Sequence, residues 1–137
     1  RRFGADGVQS RSSTHRCCLF ASVYSIPVWL LVDDLRNANN RCDVTNDRAA
    51  RVRTIATALS PASGQRFQLF LLFGPLVFVL ATVAAGWLSI WALGTMAATP
   101  LLLRAARSGS VEGTAQTHLV FGLLYVGSLL LPPVFIW

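Results

Sequence analysis

The amino-acid sequence predicts an all-α fold: a multi-pass transmembrane helical bundle of about four spans. Three observations predict it. Of the 137 residues, 53% are hydrophobic and 13% charged, with a mean hydropathy of +0.51, whereas soluble domains are nearer a quarter charged. No charged residue falls between Arg66 and Arg104. The arginines gather beside the apolar stretches, as topology-setting charges do. All 12 basic residues are arginine, which reads as a coding bias and not as chemistry. The net charge of +6 does not point to nucleic acid, because the arginines do not interleave with aromatics on a polar face.

Taken in order, residues 1–16 are polar, carry four arginines and lack a periodic apolar pattern, so they read as a disordered tail. Residues 17–137 read as one membrane domain. The stretch 17–32 is uncharged and ends in Val28-Trp29-Leu30-Leu31-Val32. At about 1.5 Å per residue it falls short of a bilayer core of roughly 30 Å. Continuing through Leu35 gives a span near 17–35, kinked at Pro27. Asp33 and Asp34 then have two readings. Either they lie in the span and face protein, or the helix ends near Val32 and they stand in water; the second is preferred.

A single helix over 67–103 would overshoot a bilayer. Two spans, near 67–85 and 87–103, joined by a turn at Ala85-Gly86-Trp87, fit better, since glycine permits the bend. Phe67, Phe70 and Phe73 read as lipid- or helix-facing, and Trp87, Trp91 and Trp137 as interfacial anchors. Residues 108–113 read as a plain loop, and the last span lies near 118–137. His118, at its start, reads as a hydrogen-bonded structural residue in preference to a base or ligand.

Arg41, Arg48, Arg51, Arg53 and Arg66 precede the hairpin, and Arg104 and Arg107 follow it. The positive-inside rule places these loops, and the Asp43/Asp47 loop with them, on the cytoplasmic side of a cell membrane. The arginines of the tail break that rule. Cys17, Cys18 and Cys42 show no zinc spacing and read as free thiols.

The chemistry-bearing segment is Asn39-Asn40-Arg41-Cys42-Asp43-Val44-Thr45-Asn46-Asp47-Arg48. Asp43 and Asp47, four residues apart, share one helix face, and Asn39 extends the stripe by another step of four. Oxygen ligands at the mouth of a membrane helix suit a hard divalent cation such as magnesium, which takes one or two carboxylates plus the oxygens of a phosphate.

The longer pattern Asn39-Asn40-x-x-Asp43-x-x-x-Asp47-Arg48-Ala49-Ala50-x-x-Arg53-Thr54-x-Ala56-x-x-Leu59 resembles the second aspartate-rich motif of the UbiA superfamily of intramembrane prenyltransferases. Within it, the pattern looks most like the enzymes that prenylate 1,4-dihydroxy-2-naphthoate in menaquinone or phylloquinone biosynthesis. Leu101-Leu102-Leu103-Arg104 and Gln116-Thr117-His118-Leu119-Val120-Phe121-Gly122 are similar to the end of such an enzyme. The resemblance covers roughly residues 22–137 and implies the C-terminal part of a nine-helix fold.

It further implies transfer of a polyprenyl group from a prenyl diphosphate to the aromatic acceptor, with Mg2+. Asp43 and Asp47 would be the catalytic metal ligands, and Asn39, Asn40, Arg48 and Arg53 would contact the diphosphate. Other acceptors, such as 4-hydroxybenzoate, homogentisate or chlorophyllide, stay open, as does a non-catalytic membrane protein. The family's first motif, of the NDxxD type, is not in this sequence, so a missing N-terminal half is the expected partner beside the lipid bilayer. Two departures stand inside the motif: Cys42 where the family usually has Arg, and Arg51-Val52 where it usually has Gly-Lys.

Overall fold

The structure, a computed structural model, describes residues 6–134, with side chains described over 21–134. Trp137 and the first five residues lie outside that range. Every element among the described residues is helical: α1 (Asp6–Cys42), α2 (Val44–Ala49), α3 (Ile55–Ala58), α4 (Pro61–Ala84), a 3₁₀ helix (Ile90–Ala98), α5 (Thr99–Ser108) and α6 (Val111–Leu130).

Local chemistry sets the breaks. Ser60 caps α4 by accepting from the Ser63 amide at 3.2 Å, and Pro61 opens the helix, where its missing N–H costs nothing. At the other end of α4, Gly86 takes φ 71°. Trp87 N–H donates to Thr82 O at 2.9 Å and Gly86 N–H to Val83 O at 3.0 Å, the paired bonds of a Schellman stop. Gly109, φ 62°, ends α5. Ser110 then caps α6 by accepting from the Gly113 amide at 3.1 Å.

Four legs run alternately up and down: α1, α4, the 3₁₀ helix with α5, and α6. At one end, Tyr125 Oη donates to Tyr24 O at 2.9 Å and Tyr24 Oη to Trp87 O at 3.0 Å. These two bonds tie the middle of α1 to the end of α4 and the later part of α6. The other end carries the C-terminus of α1 with α2 and α3. Leu72, Val79, Leu102, Phe121 and Tyr125 fill the centre between the legs.

The distribution of residue types is inverted relative to a water-soluble bundle. Trp29, Val32, Phe70, Val77, Leu119, Leu123 and Val126 are exposed, while Thr82, Thr95, Thr117 and Ser128 are buried. Each of these buried hydroxyls donates to a carbonyl three or four residues back. Small polar residues inside and large apolar ones outside characterise helices packed in lipid. Among the described helices, α4 is the one long and apolar enough to cross a membrane. It and the apolar outer faces fit a membrane protein.

The structure corrects several sequence expectations. Residues 6–16, read as tail, belong to α1; no proline interrupts the helix before Pro27, and propagation from a packed helix is inexpensive. The loop read over 108–113 shrinks to Gly109 and Ser110, because the serine cap starts α6 early. The stretch read as a span near 87–103 begins as nine residues of 3₁₀ helix, a long run for that geometry. Its cause is a three-residue repeat of small side chains. Ala92, Thr95 and Ala98 are all essentially buried, and residues three apart eclipse in a 3₁₀ helix. Thr95 Oγ1 donates to Ala92 O at 2.7 Å, which reinforces the three-residue step.

Candidate functional site

α1 ends in the polar motif. Asp43 forms a bend, φ −95° and ψ 3°, yet helical bonding carries across it. Asp43 N–H donates to Asn39 O at 3.3 Å, and Asp47 N–H to Asp43 O at 2.9 Å. Asn39, Asp43 and Asp47 therefore keep their step of four. Asn39, Asp43 and Arg48 are exposed, and Asp47 is half-buried. Neither aspartate side chain forms a hydrogen bond or ion pair with another described residue, and Asp43 does not use its carboxylate as a cap.

α2 closes on Arg51. Arg51 N–H donates to Arg48 O at 3.2 Å and Val52 N–H to Asp47 O at 2.8 Å. This is again the Schellman pattern, with Arg51 in its left-handed position at φ 57°, where glycine is the usual occupant. Thr54 then starts α3 with a reciprocal cap: Thr57 N–H donates to Thr54 Oγ1 at 3.1 Å, and Thr54 N–H to Thr57 Oγ1 at 2.8 Å. Ala56 is buried, which seats α3 on the bundle and fixes the approach of Arg53.

Between α1, α3 and α4 lies a cavity of about 340 Å³ lined by Asp33, Arg36, Asn37, Asn40, Arg53, Thr54, Ile55, Phe67 and Leu71. It joins two guanidiniums, two amides and one carboxylate to an apolar wall. A second cavity, also about 340 Å³, lies on the other side, where Arg41, Gln65, Gln68 and Arg107 meet Leu69, Leu72 and Thr114. Of the six residues singled out from the sequence, Asn40 and Arg53 converge on the first cavity. Asn39, Asp43, Asp47 and Arg48 line neither of the two.

Sequence reasoning missed a buried polar chain that separates these cavities. Asp34 is fully buried, so the reading that placed it in water is wrong: α1 does not stop near Val32 but continues to Cys42. Its Oδ2 lies 2.8 Å from His118 Nε2. Gln68 Nε2 donates to Asp34 Oδ1, and Asn37 Nδ2 donates to Gln68 Oε1. α1, α4 and α6 are thus joined by one network. Asp33, in contrast, is more than half exposed, with Arg36 at 3.9 Å. No signal in the sequence pairs Asp34 with His118; only the unexplained acid inside an apolar stretch flagged it.

No protein-family model matches the chain, and no solved structure matches it. Curated proteins do. UbiA prenyltransferase domain-containing protein 1 of Homo sapiens is 34% identical over 121 residues, and that of Rattus norvegicus 30% identical over 122. Each match takes in 84% of this chain and 36% of the relative. The chain is similar to part of a UbiA prenyltransferase domain-containing protein. It spans about a third of the length of the curated relatives it matches.

The UbiA resemblance gives Arg51 a meaning. The motif that the sequence resembles usually has glycine at this place, the residue that a left-handed helix stop favours, and here Arg51 occupies the stop. The donor set also bears on a metal. No group of three or more His, Cys, Asp or Glu side chains among the described residues stands together to hold an ion alone. Two carboxylates one helical turn apart do fit magnesium, which fills its remaining positions with phosphate oxygens and water.

Proposed function

We infer that this chain forms part of a membrane prenyltransferase that transfers a polyprenyl group from a prenyl diphosphate to 1,4-dihydroxy-2-naphthoate. The observation that carries the reading is the meeting of Asn40 and Arg53, both motif residues, in one cavity with an apolar wall. The similarity of 84% of the chain to UbiA prenyltransferase domain-containing proteins supports it.

In this reading Arg53 gives paired hydrogen bonds to diphosphate oxygens, and the Asn40 amide adds another donor. Phe67, Leu71 and Ile55 receive the first isoprenoid carbons next to the leaving group. Asp43 and Asp47 would hold Mg2+, and Asn39 and Arg48 would contact the diphosphate. Magnesium, when bound, neutralises the charge that develops on the departing diphosphate. The allylic C–O bond breaks with its electron pair going to the diphosphate. The carboxyl-bearing ring carbon of the acceptor supplies the pair for the new C–C bond; its bond to the carboxylate then breaks, the electron pair restoring the aromatic ring as CO2 leaves. The first aspartate-rich motif would come from a further N-terminal segment or a partner chain. The arginines around the motif would keep this mouth on the cytoplasmic face.

The test is calorimetric binding of farnesyl diphosphate to the purified chain in lipid nanodiscs, with and without Mg2+. The wild type binds more tightly with Mg2+. The Asp43→Asn/Asp47→Asn double variant loses at least about tenfold of that gain, the scale set by removing charged ligands from a metal site. An unchanged metal dependence in the double variant would sink the reading.

A further inference from the structure

The second cavity differs from the first in its charge. Arg41, in the last turn of α1, and Arg107, in the last turn of α5, both line it, and none of its lining residues is acidic. Neither guanidinium forms an ion pair with another described residue. Glu112, in the first turn of α6, is exposed and does not line the cavity. A cation in the last turn of a helix complements the helix dipole. That accounts for one arginine at each helix end, but not for two that line one space, where like charges repel.

Most other polar side chains of this cavity are already engaged. Gln68 bonds Asp34 and Asn37. Thr114 Oγ1 donates to Ser110 O at 3.1 Å, and Ser108 Oγ to Ala105 O at 3.3 Å. Of the side chains there that bear nitrogen or oxygen, Arg41, Arg107 and Gln65 remain for a ligand, beside the buried Leu72 and Ala105. Paired guanidiniums of this kind suit the oxygens of a phosphate.

A groove on the outer face of α5 continues from the cavity. Pro100, Leu103, Arg104, Arg107 and Ser108 line it, so Arg107 and Ser108 belong to both. Pro100 and Leu103 are exposed, and they precede Arg107 on α5, towards the middle of the bundle. Charge therefore stands at the end of the leg and apolar surface lies deeper, which matches the headgroup and chain of a membrane amphiphile.

We propose that Arg41 and Arg107 clasp the headgroup phosphate of an anionic phospholipid, with an acyl chain laid along Pro100 and Leu103. The site shares no lining residue with the first cavity. It does not use Asp43 or Asp47, and it does not rest on the prenyl-diphosphate reading.

The test is native mass spectrometry of the chain in a nonionic detergent, titrated with dioleoyl phosphatidate. Dioleoyl phosphatidylcholine, which carries no net charge, should bind at least about tenfold more weakly. Arg41→Lys/Arg107→Lys keeps the charge but loses the planar fork, and should weaken phosphatidate by about tenfold. Arg66 is exposed at the same end of the bundle and lines neither cavity nor the groove. Arg66→Gln should therefore stay within about twofold of wild type. Diffuse attraction of a basic end to acidic lipid predicts the reverse. If the lysine variant binds as the wild type does, or Arg66→Gln weakens binding as much as the lysine variant, the proposal is overturned.

Glycerol 3-phosphate has the phosphate without the chains, and should not displace phosphatidate at about a hundredfold excess. Displacement by it, or by farnesyl diphosphate at equal concentration, would give the cavity to a free phosphate or to the prenyl donor and overturn the lipid assignment. Should the lysine variant fail to fold by circular dichroism, Cys42 decides, since it is exposed and lines the same cavity. In the wild type, phosphatidate should slow alkylation of Cys42 by iodoacetamide, read by peptide mass spectrometry, and phosphatidylcholine should not. Equal rates in the two lipids would refute the site.

Discussion

Two polar regions on α1 are built on opposite principles. Asp34 is fully buried and bonded to two helices besides its own. Asp43, exposed, and Asp47, half-buried, nine residues and more further on, have no side-chain partner among the described residues. Burying a carboxylate is unfavourable unless its oxygens are satisfied, so the first region had to be completed by the fold. The second is left incomplete, and a ligand can complete it. Stability should therefore depend on Asp34 and recognition on the motif.

That contrast can be broken by measurement. Asp34→Ala strands His118 and Gln68 and should lower stability by about 3 kcal/mol, the scale for losing one partner of a buried pair, seen as a fall in thermal midpoint. Thr54→Ala removes the reciprocal cap of α3 and should cost about 1 kcal/mol. It should also weaken diphosphate binding, because Arg53 precedes the cap. Arg51→Gly relieves the left-handed residue and should raise stability by about 1 kcal/mol; no gain would mean that the turn is not as described. Smallest of all, Asp43→Asn/Asp47→Asn should change stability by less than about 0.5 kcal/mol, as exposed sites do. An effect there as large as that of Asp34→Ala would erase the distinction between the two regions.

The same contrast explains what the sequence revealed. The helical bundle was legible because an uncharged run as long as 67–103 has few other uses, and Gly86 marked the turn because a left-handed stop favours glycine. The step of four through Asn39, Asp43 and Asp47 was legible because it is local, and the helical bonding across Asp43 keeps it. The cavity was not, since Asn37, Arg53 and Phe67 come from three separate elements. Asp34 was misplaced for the same reason. Its partner His118 is 84 residues away, and Gln68 lies on yet another helix, so local pattern could only show an acid in an awkward place. The 3₁₀ helix was visible in principle, as the step of three through Ala92, Thr95 and Ala98, but small residues give little contrast in hydropathy.

The 3₁₀ helix also works as a ruler. Nine residues at about 2.0 Å and the ten of α5 at about 1.5 Å reach roughly 33 Å, close to the 36 Å or so of the 24-residue α4. Wound wholly as α-helix, that leg would measure only about 28 Å, well short of α4. A tighter coil thus lets a leg with five fewer residues than α4 keep level with it.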